Sequence, residues 1–427
     1  MEVMSGTLPL DLRREEICIR DIAKINSYST KLPIKNKLEE WRSVETPDKH
    51  TTPLGLMSCL AEDMKKELDI DIKNIEPEFE YHGLQAIKSP PEYWRNLGSS
   101  KNRTKEQIET GNQIITTKIL ETSEYTAIAF TDGSCLSNPG PCGAGALVLL
   151  NGIESELKQP VCKRGSILLA ELIAIKLVLD FIYNPDNRRK VNQIKIFSDS
   201  QSAIGILSLN WKIENHKLTA RTIISKMKAL QQEGIEVIYE WTPGHANVRG
   251  NEIADKLAKE AAKEAENMSN DSHNTITKQD VKKAARDYVI NKWQSRWDVS
   301  ERGRFYFNHH KYVKDRPILD FPDRQTSIIV NNLRSGFAKL NDYAHKIGII
   351  DSPLCSCGER ETVEHFMLNC NLYEEQRQKL IHEMYYNTGS LNLDLETLLS
   401  VGKETSVLPE TEKLRILAQY ISDTNRF

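Results

Sequence analysis

An α/β fold is predicted for the middle of the chain, and three observations predict it. Residues 125–130 and 194–197 are short, β-rich apolar runs of the length of buried strands, and an acid closes each of them, Asp132 or Asp199. Residues 167–179 are apolar on nearly every helical face and still hold a carboxylate, Glu171. After the loop Trp241-Thr242-Pro243-Gly244-His245, residues 250–258 read as the first turns of another helix, with Asp255 among them. Strand ends at the carboxyl edge of an open α/β sheet are where ligand sites form. A carboxylate buried there is costly unless a cation or hydrogen-bond donors compensate it, and several together suit hard divalent cations such as Mg²⁺. Taken singly, each acid reads equally as a helix cap or a solvated loop residue. Taken as four, they suggest a two-metal phosphodiester site.

At 427 residues the chain is long enough for two or three domains, and 39% hydrophobic residues can fill their cores. Its net charge of −3 excludes a global basic field, so any footprint for nucleic acid must be local. The most apolar helix is interrupted by Glu171, Lys176 and Asp180, so no stretch approaches a membrane span, and no secretory signal opens the chain. An intracellular protein, nuclear or cytoplasmic and without a membrane partner, is expected. Its eight cysteines are then expected as reduced thiols or metal ligands, not as a disulfide framework.

From the start, residues 8–25 form an amphipathic helix with mixed charge, read either as a helix with a partner or as an ordinary surface helix. Residues 29–120 are polar and interrupted by Pro33, Pro47, Pro53, Pro77, Pro90 and Pro91. They read as a connection region with little regular core, holding one helix over 54–68 and the packing residues Tyr81 and Trp94.

Thr131-Asp132-Gly133-Ser134, Ala170-Glu171, Ser198-Asp199-Ser200 and the run from Gly244-His245 to Ala254-Asp255 stand in the order and spacing of a ribonuclease H domain, which the chain resembles. The resemblance implies a mixed five-stranded sheet with helices on both faces, flanked by mainly helical N- and C-terminal regions. Residues 124–266 fit that plan, reading strand, strand, strand, helix, strand, helix, helix, strand, helix. It further implies endonucleolytic hydrolysis of the RNA strand of an RNA–DNA hybrid, with Asp132, Glu171, Asp199 and Asp255 holding two Mg²⁺ or Mn²⁺ ions. His245, in a glycine-flanked loop, would shuttle a proton or assist product release, or is simply a loop histidine. The turn-rich loop 136–145 reads as a plain hairpin turn or as a ligand loop. By resemblance Asn138 and the backbone beside it at Gly140 read the 2′-hydroxyl, with Gln201 on the same minor-groove side. Cys135 and Cys142 lack further ligands and read as small core residues. Family members with a long basic insertion grip substrate with it, and here the corresponding stretch, 210–217, is short. A catalytically dead or domesticated nucleic-acid-binding protein is the alternative. A deoxyribonuclease or integrase-like enzyme of the same fold normally uses three carboxylates, so Asp255 and Asn138 argue against it.

Residues 266–274 are a polar linker, followed by a helix over 278–297. In 302–314 basic residues alternate with aromatics, which suits single-stranded nucleic acid or, the reading preferred, an amphipathic hairpin packed on its neighbour. A helix is expected over 326–347, with Leu333, Phe337, Leu340 and Tyr343 on one face and Arg334 outside it. Next, Cys355, Cys357, His365 and Cys370 fall within sixteen residues, a tetrahedral structural Zn²⁺ set with Gly358 relieving the turn. This spacing, followed by Leu-Tyr and an arginine-bearing helix, resembles the C-terminal zinc knuckle of non-LTR retrotransposon reverse transcriptases. The opening Gly6-Thr7-Leu8-Pro9-Leu10 and its helix resemble the tail behind the polymerase domain of such polyproteins. No paired-aspartate polymerase motif occurs in the chain, so a fragment of a polyprotein is expected, with a polymerase domain as a possible partner. The expected domains are a connection region 1–120, a ribonuclease H domain 121–266, a linker and helix 267–325, and a helical zinc-knuckle domain 326–427.

Overall fold

The computed structural model describes residues 2–43, 52–78, 90–97, 102–268, 275–315, 323–388, 394–400 and 409–427. Residues 19–284 form one compact unit, and residues 1–18 with 285–427 form the other. The chain opens with α1 (Glu2–Ser5), α2 (Leu10–Ser27), α3 (Pro33–Ser43), α4 (Pro53–Leu68), α5 (Tyr93–Asn96) and α6 (Lys105–Leu120). The sheet region follows as β1 (Thr126–Cys135), β2 (Gly140–Leu150), β3 (Ile153–Gly165), α7 (Ile167–Tyr183), α8 (Pro185–Arg188), β4 (Gln193–Ser198), α9 (Gln201–Ser208), α10 (Lys217–Gln232), β5 (Glu236–Trp241) and α11 (Arg249–Ala265).

The five strands lie in the order β3-β2-β1-β4-β5. Antiparallel pairing joins β1 to β2 and β2 to β3, whereas β1–β4 and β4–β5 are parallel. This is the mixed sheet that the resemblance implied. Alternate residues of one strand point to opposite faces. Accordingly Ala127 and Ala129 of β1 and Ile194 and Ile196 of β4 share a core with α7, α9 and α10, while Phe130 and Phe197 pack with Ile115 of α6 and Ala254 of α11. Coverage on both faces is why these central strands read as nearly continuous apolar runs. On β2, a side chain at Gly145 would strike the α11 backbone at Ala254 and Ala258. The alanine face of α11 therefore lies backbone-close on the sheet, which holds Asp255 at a fixed height above β1.

The described parts of the connection region depart from expectation, because they are regular and packed. Pro33 and Pro53 open α3 and α4, where a missing N–H costs nothing, instead of interrupting them. Leu60, Ala61 and Met64 of α4 are buried, α6 starts with a capping box between Thr104 and Gln107, and Trp94 and Leu97 join Ile204, Leu209 and Trp241 in one cluster. Tyr81 lies outside the described residues. So does most of the expected linker, 269–274, after which Ile276 pairs in parallel with Ile75. Cys135 and Cys142 face each other across β1 and β2 and are joined as a disulfide, correcting their reading as separate thiols. Direct cross-strand register brings them together, and residue spacing alone does not reveal it.

In the second unit the remaining helices are α12 (Lys278–Val299), α13 (Arg304–His309), α14 (Arg324–Ser335), α15 (Asn341–Lys346), α16 (Glu374–Thr388), α17 (Leu395–Leu399) and α18 (Glu410–Thr424). The opening helix does have a partner, since Asp11, Glu15 and Glu16 pair with Arg296, Lys292 and Arg286 of α12. The single helix expected over 326–347 is two. Gly336, at φ 78°, ends α14 in the left-handed conformation, and the face continued across that turn is lost. Phe337 is 56% exposed, and Arg334, placed outside in the sequence reading, is buried. Residues 304–309 are helical, with Tyr306 buried and Phe305 against the core of Leu333, Phe366, Leu380 and Leu417.

The β2–α11 contact is testable. Gly145→Ala should lower stability by about 1–3 kcal/mol, the usual range for overpacking, read as a lower urea midpoint at unchanged slope. A shift within about 0.5 kcal/mol, as at ordinary surface positions, would mean that α11 does not need that approach.

Candidate active site and second metal centre

Parallel pairing of β1 with β4 sets Thr131 opposite Ser198, so the next residues lie side by side: Asp199 just past the end of β4, and Asp132 still within β1, which runs on to Cys135 paired with β2 and is not closed by the acid as expected. Ser166 caps α7 with its side chain, and Glu171 lies one turn further in, buried among Leu169, Ala170 and Ile173. One oxygen from each of Asp132, Glu171 and Asp199 falls within 4.8 Å of the others. Asp255 comes from α11. It shares a hydrogen bond with Asp132, lies outside the 4.8 Å group, and is held by Lys259 Nζ at 2.6 Å.

Electrostatically the group is crowded. Burial, then the charges of Asp199 and Asp255, push the Asp132 carboxyl up to about 9. Glu171 is raised well above the ordinary carboxylate range by burial and by Asp132 and Asp199. Asp199 is raised by burial too, although a hydrogen bond from Asn251 and the charge of His245 oppose the rise. Glu171 Oε2 is buried without a hydrogen-bond partner. An orphaned carboxylate oxygen facing two further acids is the donor set of a hard divalent cation. These residues fit Mg²⁺ or Mn²⁺.

His245 is exposed on the loop after β5 and, like Asn247, takes the left-handed conformation, with φ of 54° and 58°. Asn138 lies on the β1–β2 loop, where its Oδ1 accepts a 3.4 Å bond from the Ile167 amide at the start of α7, and Gly140 opens β2 opposite Gly165. Gln201 opens α9, two residues beyond Asp199. Three residues near the acids escape the sequence reading. Asn251 lies inside the quoted motif, and Lys259 stands four residues after Asp255, a helical ion-pair spacing that could have signalled it. Arg103, whose surroundings include the charge of Asp199, is too distant in sequence for any local pattern to find.

In the second unit, donor atoms of Cys355, Cys357, His365 and Cys370 all lie within 4.8 Å of one another. Cys355 Sγ is 3.7 Å from Cys370 Sγ, and Cys357 Sγ is 3.3 Å from His365 Nε2. Gly358, at φ 94°, turns the chain after the second cysteine, and Glu359 lies 3.3 Å from His365 Nδ1, on the side away from the thiols. Burial and the neighbouring Cys355 push the Cys370 thiol up to about 11, so a thiolate there calls for a cation. Three soft sulfurs and one imidazole fit zinc.

A family model described as RNase H matches residues 124–263. A ribonuclease H of Francisella philomiragia is 33% identical over 152 residues, 34% of this chain and 95% of that protein. One from Francisella tularensis subsp. novicida is 34% identical over 146 residues, 32% of this chain and 91% of the relative. A retrovirus-related Pol polyprotein from a type-1 retrotransposable element R1 of Bradysia coprophila is 29% identical over 109 residues, 25% of this chain and only 10% of the polyprotein. Among solved structures, the N-terminal RNase H domain of a Mycobacterium tuberculosis protein is 26% identical, with 33% of this chain and 96% of that one covered at a TM-score of 0.28. A structure titled LC11-RNase H1 in complex with an RNA/DNA hybrid is 23% identical, with 33% and 98% covered at a TM-score of 0.27.

The raised carboxyls set a pH dependence. Because the folded state retains protons that the unfolded chain releases above the ordinary aspartate value of 3.8, stability of the metal-free protein falls as pH rises toward about 9. The fall in melting temperature over that window should be smaller in Asp132→Asn than in the parent protein, and Mg²⁺ should narrow the gap. Parallel curves for the two proteins without metal would show that the acids are not crowded.

Proposed function

This chain belongs to the ribonuclease H family, and we propose that it cleaves the RNA strand of RNA–DNA hybrids with two divalent cations, as part of a retrotransposon-type reverse transcriptase polyprotein. The observation that carries the reading is the convergence of Asp132, Glu171 and Asp199 within 4.8 Å, with one buried carboxylate oxygen left unpartnered. Two Mg²⁺ ions held there by Asp132, Glu171, Asp199 and Asp255 would supply an activated water and neutralise charge gathering on the scissile phosphate. The chain itself does the positioning. The sheet fixes Asp132 and Asp199, α7 holds Glu171 in a dry pocket, and Lys259 keeps Asp255 turned toward the group. His245 stands free of the core on its loop, where the imidazole can take up a proton or attend the departing product. Asn138, exposed at the start of α7, would read the 2′-hydroxyl that separates RNA from DNA, with Gly140 and Gln201 assigned to the same side of the substrate.

The polyprotein context is supported by the retrotransposon relative, although the match spans only about a tenth of that protein's length. The Cys₃His set supports a structural zinc knuckle in the second unit, where a nucleic-acid strand would be gripped by a module independent of the nuclease.

Two outcomes are expected. Hybrid should be cut in Mg²⁺ and duplex DNA of the same sequence left intact, and Asp132→Asn should lose about a thousandfold or more in rate while staying folded. Absence of cleavage by the parent protein would favour a domesticated nucleic-acid-binding role, and equal cutting of both substrates a different nuclease. Separately, metal analysis should find about one zinc per chain, and Cys357→Ser should abolish it and unfold the knuckle, since such sites are worth roughly 10–16 kcal/mol. A zinc-free parent protein would make the four residues an accident of composition.

A further inference from the structure

We propose that the segment ahead of the ribonuclease domain, through Arg103 and α6, is a positioning element for the reaction, bracing the loop 242–247 and with it His245 beside Asp199. The inference rests on the assignment of that site to hybrid cleavage.

Several contacts converge on this loop. Arg103 Nη1 donates to the carbonyl of Gly244 at 2.5 Å, while its Nε donates to the carbonyl of Leu97 at 2.9 Å, so one planar guanidinium ties the loop to the end of α5. On α6, Gly111 abuts Pro243, and a Cβ there would come within 2.8 Å of the proline ring. The strand that feeds the loop is held by the same segment. Trp94 and Tyr93 lie 5.9 and 6.0 Å from the Trp241 ring, the Tyr93 hydroxyl donates to Glu240 at 3.2 Å, and Lys118 pairs with Glu240. Trp241 Nε1 in turn donates to the carbonyl of Asp199 at 3.0 Å, joining this packing to a metal-binding position.

The loop has reason to need a brace. His245 and Asn247 both occupy the left-handed region without being glycine, and such conformations persist only where the surroundings over-determine them. The family match begins at residue 124, whereas Tyr93, Trp94, Arg103 and Gly111 all precede it. The brace is thus an addition to the matched domain. It acts through the loop and touches neither substrate nor cation, so Arg103 is a positioning residue.

The test uses the full chain. Without metal, Arg103→Ala should speed amide hydrogen exchange at residues 242–247 about tenfold, with other protected amides unchanged. On hybrid with Mg²⁺, kcat should fall about tenfold at nearly constant KM, because misplacing a catalytic group costs rate more than binding. In a His245→Ala background the same substitution should cost little further, and Arg103→Lys, keeping the charge and one donor, should recover part of the loss. Gly111→Ala is the second variant. Helix propensity favours it, so a faster-exchanging loop and lower kcat would come from the contact with Pro243 and not from unfolding. Unchanged exchange in Arg103→Ala and Gly111→Ala, or equal fold-losses of kcat with and without His245, would overturn the proposal. If the parent protein cuts no hybrid, the cleavage reading fails, and the exchange measurement still decides whether the brace exists.

Discussion

Three carboxylates in one desolvated spot are the constraint on which the rest of this structure depends. Each of Asp132, Glu171 and Asp199 is disfavoured as an anion by burial and again by its neighbours, so the folded chain holds an electrostatic load that its packing must offset. Rigid surroundings make that possible. Parallel register fixes the two aspartates, a capped helix with apolar neighbours fixes the glutamate, and the close approach of α11 to β2 fixes Asp255. Asp132 and Glu171 are buried and Asp199 largely so, which makes a divalent cation the natural compensation.

The two proposed loop residues are placed differently. His245 and Asn138 are exposed on connections, where a side chain can move without disturbing the core. A loop of that kind risks being too loose. The aromatic packing of Trp94 and Trp241, with Arg103 on the Gly244 carbonyl, limits its freedom from outside the matched domain. The connection region is therefore structural context for the site as well as a spacer.

The Cys₃His cluster follows the opposite plan. Its four donors fall within sixteen residues, closed by a glycine turn and a short irregular helix, beside the core that holds Val363, Phe366, Met367 and Tyr420. The nuclease sheet has a core of its own and supports its acids before any metal arrives.

Sequence alone determined the α/β class, and local pattern, an acid after an apolar run, an acid within an apolar helix and ligand spacing, pointed to Asp132, Glu171 and Asp199 and to the Cys₃His group, each of which the fold brings together. It also suggested that the opening helix has a partner, though not that Arg286, Lys292 and Arg296 of the same chain supply the charges. Only the tertiary structure decided the rest. The described parts of the connection region are helical in part because Pro33 and Pro53 start helices, a position that composition cannot distinguish from a break. Arg334 is buried beside Val330 and Leu333 on α14, and Gly336 ends that helix, so the face drawn through Phe337 does not continue. The bonding of Cys135 to Cys142 depended on cross-strand register, and the meeting of Arg103 with Gly244 on a contact between residues 141 positions apart. Local periodicity carries no information about separations of that length, which only the completed fold closes.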